Sequence, residues 1–474
     1  MYRRPWGAAA ALRLEYVVPA VLAAALTAWR YDAKPLWRDE AFTLSSATRP
    51  IDALARLLSH QDAALAAYYS TMHVWLSISA SLFWLRLPSA VGTVVAVVLT
   101  ARLGQKLAGP VAAFAAGCFA AVTPVLVEHA QEARPYPLLM SASAGMGLAM
   151  LRYLEQPTRS SAIAWTLLAA VTILVHPLAG LPVVASVLLC AFLVFPQHRA
   201  SIAACGILPG TLALPIIGIG LAQGSQLQYQ GVTHLNDLIR MRHTFGGNAP
   251  AVVLVGVLVI TGLAYLWQSR RPFWLLLTWV LLPPLGLWAV SLAHPYYQPR
   301  YLAGVLPAVA ALSGTGVAAA VERVRRPKLQ IGSALALIAL VVAAQAPSAV
   351  RVRQAATYGD DPASAGRLLA AQALPRDAIV FVGSECRVLF APYLPHQRWP
   401  ADALLQTPPI PSGTLSGRDI PVQQQATVLA RYARVWIATA DTPDGADTMH
   451  AAEVGRHLMS SQAFGRAGLQ LWVR

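Results

Sequence analysis

The sequence predicts an α-helical polytopic membrane protein of about eleven spans, followed by a small α/β domain outside the bilayer. Three observations carry that expectation. Of the 474 residues, 56% are hydrophobic and only 12% are charged, roughly half the charged share of a soluble domain. Long apolar runs recur through residue 344, separated by short loops rich in arginine. Beyond residue 346 the composition turns polar, with Pro347, Pro362, Pro375, Pro392 and Pro395. The net charge of +15 is spread through the short loops rather than gathered on one face, so it reads as a membrane-orientation signal and not as a nucleic-acid surface.

The first run, 12–29, follows Arg3, Arg4 and Arg13 and reads as an anchor with its N-terminus in the cytoplasm, because further spans follow it. The others are 87–103, 109–127, 136–154, 162–175, 178–195, 202–221, 251–267, 273–292, 302–321 and 329–344. Segment 63–85 is apolar but carries His73, Trp75, Trp84 and several serines. Treating it as an interfacial helix puts Arg102, Lys106, Arg152, Arg159, Arg199, Arg270, Arg271, Arg323, Arg325, Arg326 and Lys328 on the cytoplasmic side, as the positive-inside rule asks. The loops left facing outward are 30–86, 128–135, 176–177, 223–250 and 294–300. In the first of them, Ile51, Leu54, Leu57 and Leu58 recur at helical spacing opposite Asp52, Arg56 and Ser59, the pattern of an amphipathic helix on a membrane surface. Residues 1–346 thus form a membrane module that includes the outer loop 30–86, and 347–474 form the extracytoplasmic domain. In that domain 378–383, 434–440 and 469–473 read as strands and 446–459 as a helix. Of the four cysteines, Cys118, Cys190 and Cys205 lie in apolar runs and Cys386 stands alone, which gives no disulfide framework.

The outward loops hold most of the reactive side chains. Trp37-Arg38-Asp39-Glu40 places an acidic pair directly after the first span, where a membrane enzyme would keep a general base within reach of a lipid-borne substrate. Mutual repulsion would favour a proton on one of the two; alternatively the pair only caps a helix over 41–46. Glu128-His129-Ala130-Gln131-Glu132-Ala133-Arg134-Pro135-Tyr136 offers Glu132 as a second carboxylate and Arg134 as a phosphate-binding guanidinium, or else a snorkelling arginine with its salt-bridge partner. His176-Pro177 and His294-Pro295-Tyr296-Tyr297-Gln298-Pro299-Arg300-Tyr301 close two span ends and are candidate phosphate contacts. Tyr68-Tyr69 and Tyr296-Tyr297 read as aromatic-belt anchors, with Tyr69 and Asp62 also held as substrate contacts. No spacing argues for a metal site, and no cofactor is expected.

Taken together, Trp37-Arg38-Asp39-Glu40-Ala41, Arg86-Leu87-Pro88-Ser89-Ala90, Glu132-Ala133-Arg134-Pro135-Tyr136 and Arg300-Tyr301 with Leu306-Pro307 resemble the polytopic GT-C glycosyltransferases. The branch is that of protein O-mannosyltransferases, aminoarabinose transferases and the bacterial proteins labelled mannosyltransferases, and the resemblance covers about three quarters of the chain. It implies transfer of a sugar, mannose first, from a polyprenyl phosphate to an acceptor hydroxyl of a glycan, lipid or protein, on the outer side of the cell membrane. It implies Asp39, or alternatively Glu40, as the base, and Arg134 near the active site; Glu132, Asp62, His176, Tyr69, Arg300 and Tyr301 stand beside them as candidate contacts read from the outward loops and span ends. The sequence departs after Asp62, where Ala63-Ala64-Leu65-Ala66-Ala67 replaces the His-Pro-Pro or Lys-Pro-Pro of many relatives. The competing reading is a lipid or glycolipid transporter or flippase. Against it, the charges gather at span ends while the span middles are plain Ala, Val and Leu.

Overall fold

The computed structural model describes residues 13–223, 234–293, 298–354, 360–383, 385–394, 400–440 and 446–474. Arg3, Arg4, His294, Tyr296, Tyr297 and most of the first half of loop 223–250 lie outside the described residues. In chain order the helices begin with α1 (Leu14–Ala28), α2 (Arg38–Ala47), α3 (Ile51–His60), α4 (Ala66–Leu76) and α5 (Leu82–Val122). Next come α6 (Pro124–His129), α7 (Tyr136–Glu155), α8 (Arg159–Val175), α9 (Pro177–Val194) and α10 (Arg199–Ala222). The short α11 (Leu235–Arg240) and α12 (His243–Gly246) lead to α13 (Ala249–Leu266), α14 (Arg270–Ala293), α15 (Leu306–Glu322) and α16 (Pro327–Arg351).

Seven helical stretches among the described residues are long and apolar enough to cross a bilayer, while α1 and α8 are shorter apolar helices. One of the seven, α5, is bent at Ala108 and Gly109, where Gly109 takes φ +79° ahead of Pro110. Its 41 residues are therefore two rods, which correspond to the two runs 87–103 and 109–127. The helices pack as one compact unit made of α1 and Leu87–Val352. Its tightest seam joins α13 to α15. A Cβ on Gly316 would sit 2.1 Å from the Leu258 carbonyl oxygen, and one on Gly262 would sit 2.2 Å from that of Leu312. Only hydrogen fits there, which is how helices without a hydrophobic driving force between them gain contact in lipid.

The second unit joins Arg30–Arg86 to Arg353–Arg474. This differs from the expected division at residue 346, which left 30–86 with the membrane helices. Helix α16 runs on to Arg351, and the outer loop is tied to the C-terminal residues by side chains distant in sequence. Arg49, for instance, donates to the Thr414 carbonyl at 2.8 Å and to that of Pro409 at 3.4 Å. The C-terminal part adds α17 (Pro362–Gln372), α18 (Cys386–Phe390), α19 (Pro409–Ser412), α20 (Val422–Leu429) and α21 (Ala446–Glu453). Its strands are β1 (Ala378–Val382), β2 (Ala401–Asp402), β3 (Leu405–Thr407), β4 (Arg418–Asp419), β5 (Arg434–Thr439), β6 (His457–Phe464) and β7 (Ala467–Val473). The main sheet has the order β2-β1-β5-β7-β6 and is mixed, with β1 parallel to β2 and β5, and β7 antiparallel to both its neighbours. Alternation along the strands fills both faces. Ile379, Phe381, Trp436 and Ala438 pack with Leu369 and Phe390, while Val380, Val435 and Ile437 pack with Leu429 and Ala452. The expected helix over 446–459 ends at Glu453, and its last residues begin β6, the edge strand paired to β7.

Segment 63–85 is not one span. It makes a 3₁₀ turn at Ala63–Leu65 and the 11-residue α4, then breaks before α5. At 1.5 Å per residue α4 is about 16 Å long, half of a hydrocarbon core. Trp75 and Trp84 close the break: their rings stack at 4.3 Å and 3°, and each indole N–H donates to the other's backbone carbonyl, at 2.9 and 3.0 Å. Helix α3 forms where its periodicity predicts, but Leu54 and Leu57 are buried in protein, so its apolar face is not simply laid on lipid. Tyr68 and Tyr69 are likewise buried in protein rather than serving as interfacial anchors.

Candidate functional site

The candidate residues fall into two groups, one in each compact unit. In the second unit, Trp37 is extended and α2 starts at Arg38, so Asp39 and Glu40 stand inside the first helical turn. Neither caps the helix; the N-cap position is Trp37, an indole that does not cap the first-turn amides. Two carboxylates there suit the positive end of the helix dipole. The pair does not act as a pair, however. Glu40 receives Arg86 on both oxygens, Nε to Oε1 at 2.7 Å and Nη2 to Oε2 at 2.7 Å, and both side chains are 1% exposed. The same guanidinium donates to the carbonyls of Tyr31, Lys34 and Pro35, each at 3.2 Å. Glu40 is thus the counter-ion of an arginine that folds the chain between α1 and α2, a structural task that sets it apart from its neighbour. Asp39 is buried at 8% exposure, and its carbonyl accepts the Thr43 hydroxyl at 3.0 Å.

Asp62 and Tyr69 are brought together by the turn ahead of α4, the phenol donating to Asp62 Oδ2 at 3.1 Å. Asp62 holds φ +57°, a left-handed conformation that aspartate tolerates better than most residues.

In the helical unit, α6 ends at His129 and the chain turns through 130–135 into α7. The turn lets His129 Nδ1 meet Glu132 Oε2 at 2.7 Å, with both side chains buried. The Glu132 carbonyl accepts the Arg134 amide at 2.8 Å, and the Arg134 carbonyl accepts the Ser89 hydroxyl at 2.9 Å. Arg134 is only 5% exposed, so it does not snorkel to water as the alternative reading required. The ring of His129 faces Tyr136 at 4.5 Å, Tyr136 faces His176 at 5.4 Å, and His176 faces Tyr301 at 5.1 Å. His176 is the junction of α8 and α9, where Pro177 at the first helical position and the extended backbone of His176 aim its ring inward. Tyr301 comes from a 3₁₀ turn, Pro299–Val305, which Trp279 pins through a bond from its indole N–H to the Gly304 carbonyl at 3.0 Å. Arg300 precedes it and is half-buried.

Four of the expected residues, Glu132, Arg134, His176 and Tyr301, therefore come from one turn and two span ends of the helical unit, and Asp39, Glu40, Asp62 and Tyr69 from the first outer loop. Three residues of the arrangement had no assigned task in the sequence: Arg86, His129 and Tyr136. The signal for His129 was its spacing of three from Glu132. For Arg86 it was a lone cation at the mouth of an apolar run.

No family model matches the chain, and no curated protein matches it. Solved structures do. ArnT from Cupriavidus metallidurans in the apo state superposes with a TM-score of 0.65 at 13% identity, over 96% of this chain and 97% of that one. The same protein bound to undecaprenyl phosphate gives 0.60 at 13% identity, over 97% and 98%. The archaeal oligosaccharyltransferase AglB from Archaeoglobus fulgidus, in complex with an inhibitory peptide and a dolichol-phosphate, gives 0.55 at 11% identity, over 90% of this chain and 69% of that one. These are GT-C glycosyltransferases, and the polytopic GT-C fold with its small C-terminal sheet domain is the fold of this chain.

Proposed function

With the GT-C fold as premise, we propose that this chain is a membrane glycosyltransferase that moves a sugar from a polyprenyl phosphate to an acceptor hydroxyl. The observation that carries the reading is likeness over nearly the whole of both chains to a protein solved with undecaprenyl phosphate bound. The first outer loop and the C-terminal sheet domain are included in that match, so the likeness is not confined to apolar helices that any transporter would share.

In the proposed reaction Asp39 accepts the proton of the acceptor hydroxyl as that oxygen bonds to the anomeric carbon. The bond from that carbon to the carrier phosphate breaks, its electron pair leaves with the phosphate, and the configuration inverts. Asp39 is preferred to Glu40 because both Glu40 oxygens are engaged by Arg86. The negative charge that grows on the departing phosphate is the task assigned to Arg134, Arg300 or His176. Mannose is the first sugar to test, and the outer face of the cell membrane is the side that the arginine-rich short loops favour.

The test is incubation of the purified full chain with a panel of radiolabelled prenyl-phosphate sugars and a membrane acceptor extract. One donor should be consumed with release of the prenyl phosphate. Asp39→Asn keeps shape but not basicity, and should lower turnover about 10²–10⁴-fold with normal expression. Full turnover in that variant rejects Asp39 as the base; transport of a carrier lipid without sugar transfer rejects the enzyme.

A further inference from the structure

Asp39 is bracketed. Its neighbour on one side, Glu40, is held by Arg86. Its neighbour on the other, Arg38, donates from Nη1 to Oε2 of Glu385 at 2.6 Å. Glu385 belongs to the C-terminal sheet domain, directly before α18, and α18 packs on α2 within the second unit. Two residues before Arg38, the Leu36 amide donates to the phenol oxygen of Tyr393. Past the other end of α2, Arg49 reaches the Thr414 carbonyl at 2.8 Å while its Nε returns to the Ser45 carbonyl at 3.1 Å. Two stretches of the C-terminal domain, 385–393 and the one holding Thr414, therefore grip both ends of one ten-residue helix. Such a helix needs them: it is shorter than the roughly 12–15 residues at which isolated helices become even marginal.

We propose that the C-terminal domain is a splint for α2, with Glu385 and Tyr393 as positioning residues that fix the direction of the Asp39 carboxylate. The proposal rests on the reading of Asp39 as the base. It gives the domain a task other than capture of the acceptor. A partly exposed ion pair and a single phenol contact add little to global stability, so their loss leaves the domain folded and the helix free to turn. Misplacement of a reacting group by a fraction of an ångström lowers turnover without altering how substrates bind.

The experiment uses the full chain in nanodiscs and the double variant Glu385→Gln, Tyr393→Phe, with two readouts. In the transfer assay, kcat should fall about 10- to 100-fold while KM for donor and acceptor stays within about twofold. In hydrogen exchange, amides of Arg38–Ala47 should exchange about five- to tenfold faster, while those of β5 are unchanged. Wild-type kcat overturns the proposal, as does a raised acceptor KM at unchanged kcat, which would make the domain a binding module. Faster exchange spread equally into β5 also overturns it, as a general loss of fold. If no donor is turned over by the wild type, the functional reading fails, and the exchange readout alone decides whether the domain holds α2.

Discussion

Replacing Arg86 by methionine tests the most demanding interaction in the first outer loop. The guanidinium is 1% exposed and makes five bonds, two to Glu40 and one to each of the carbonyls of Tyr31, Lys34 and Pro35. Methionine fills a similar volume but donates nothing. Glu40 is then left buried with its charge and without its guanidinium, a situation that costs about 3–5 kcal/mol. For a unit of about 180 residues, at roughly 2–4 °C per kcal/mol, the apparent Tm should drop by roughly 6–20 °C. The fall should be matched by faster proteolysis within 30–86. The assay is thermal unfolding of the detergent-solubilised chain followed by size-exclusion, with limited proteolysis mapped by mass spectrometry. Adding Glu40→Leu removes the orphaned charge and should recover part of the loss, since well-packed apolar pairs often replace buried ion pairs at little cost. An Arg86→Met variant with wild-type melting and cleavage would refute the assignment of Glu40 as a structural counter-ion and return it to contention as the base.

Three further outcomes follow from the geometry. Gly262→Ala and Gly316→Ala each drive a methyl group into a backbone carbonyl of the facing helix; each should cost about 1–3 kcal/mol, seen as lower yield of monodisperse protein. His129→Ala removes the 2.7 Å partner of Glu132 and should cost about 1.5–3 kcal/mol, measured as a lower apparent Tm; an unchanged Tm would deny the pair any hold on the 130–135 turn. Burial pushes the Tyr393 phenol up to about 12, from an ordinary value near 10. Because the folded value is the higher one, the contribution is intact below about pH 10 and fades as pH rises toward about 12. Wild type should therefore lose stability relative to Tyr393→Phe between about pH 10 and 12, with alkaline melting curves that run parallel below about pH 10 and separate above it.

Much of the fold was legible because a bilayer imposes a simple rule: apolar runs near 20 residues form helices. The runs fall on α1, α5, α7 to α10 and α13 to α16, and three apolar stretches after residue 346 hold β1, β5 and β7. What resisted reading was long-range pairing. Nothing in the spacing joins Arg38 to Glu385 across 347 positions, or Arg49 to Thr414 across 365, and so the outer loop was grouped with the helices beside it in sequence. Glu40 and Arg86 were both visible in short motifs, yet an adjacent Asp-Glu reads as a coupled acid pair until the partner of one is known. Strand β6 was hidden for a local reason: His457–Phe464 lies at the sheet edge, exposed along most of its length, and so lacks the apolar alternation that betrays buried strands. The His129–Glu132 contact was the most accessible of the misses, since residues three apart readily meet across a single tight turn.

The reciprocal stack of Trp75 and Trp84 gives this molecule an optical gauge of its own. Two indoles stacked 4.3 Å apart with their planes 3° from parallel couple their electronic transitions, and that coupling falls steeply as the rings separate. Circular dichroism in the indole bands, with Trp84→Phe as the blank, would thus report opening of the α4–α5 junction without any label, including during encounter with a carrier lipid.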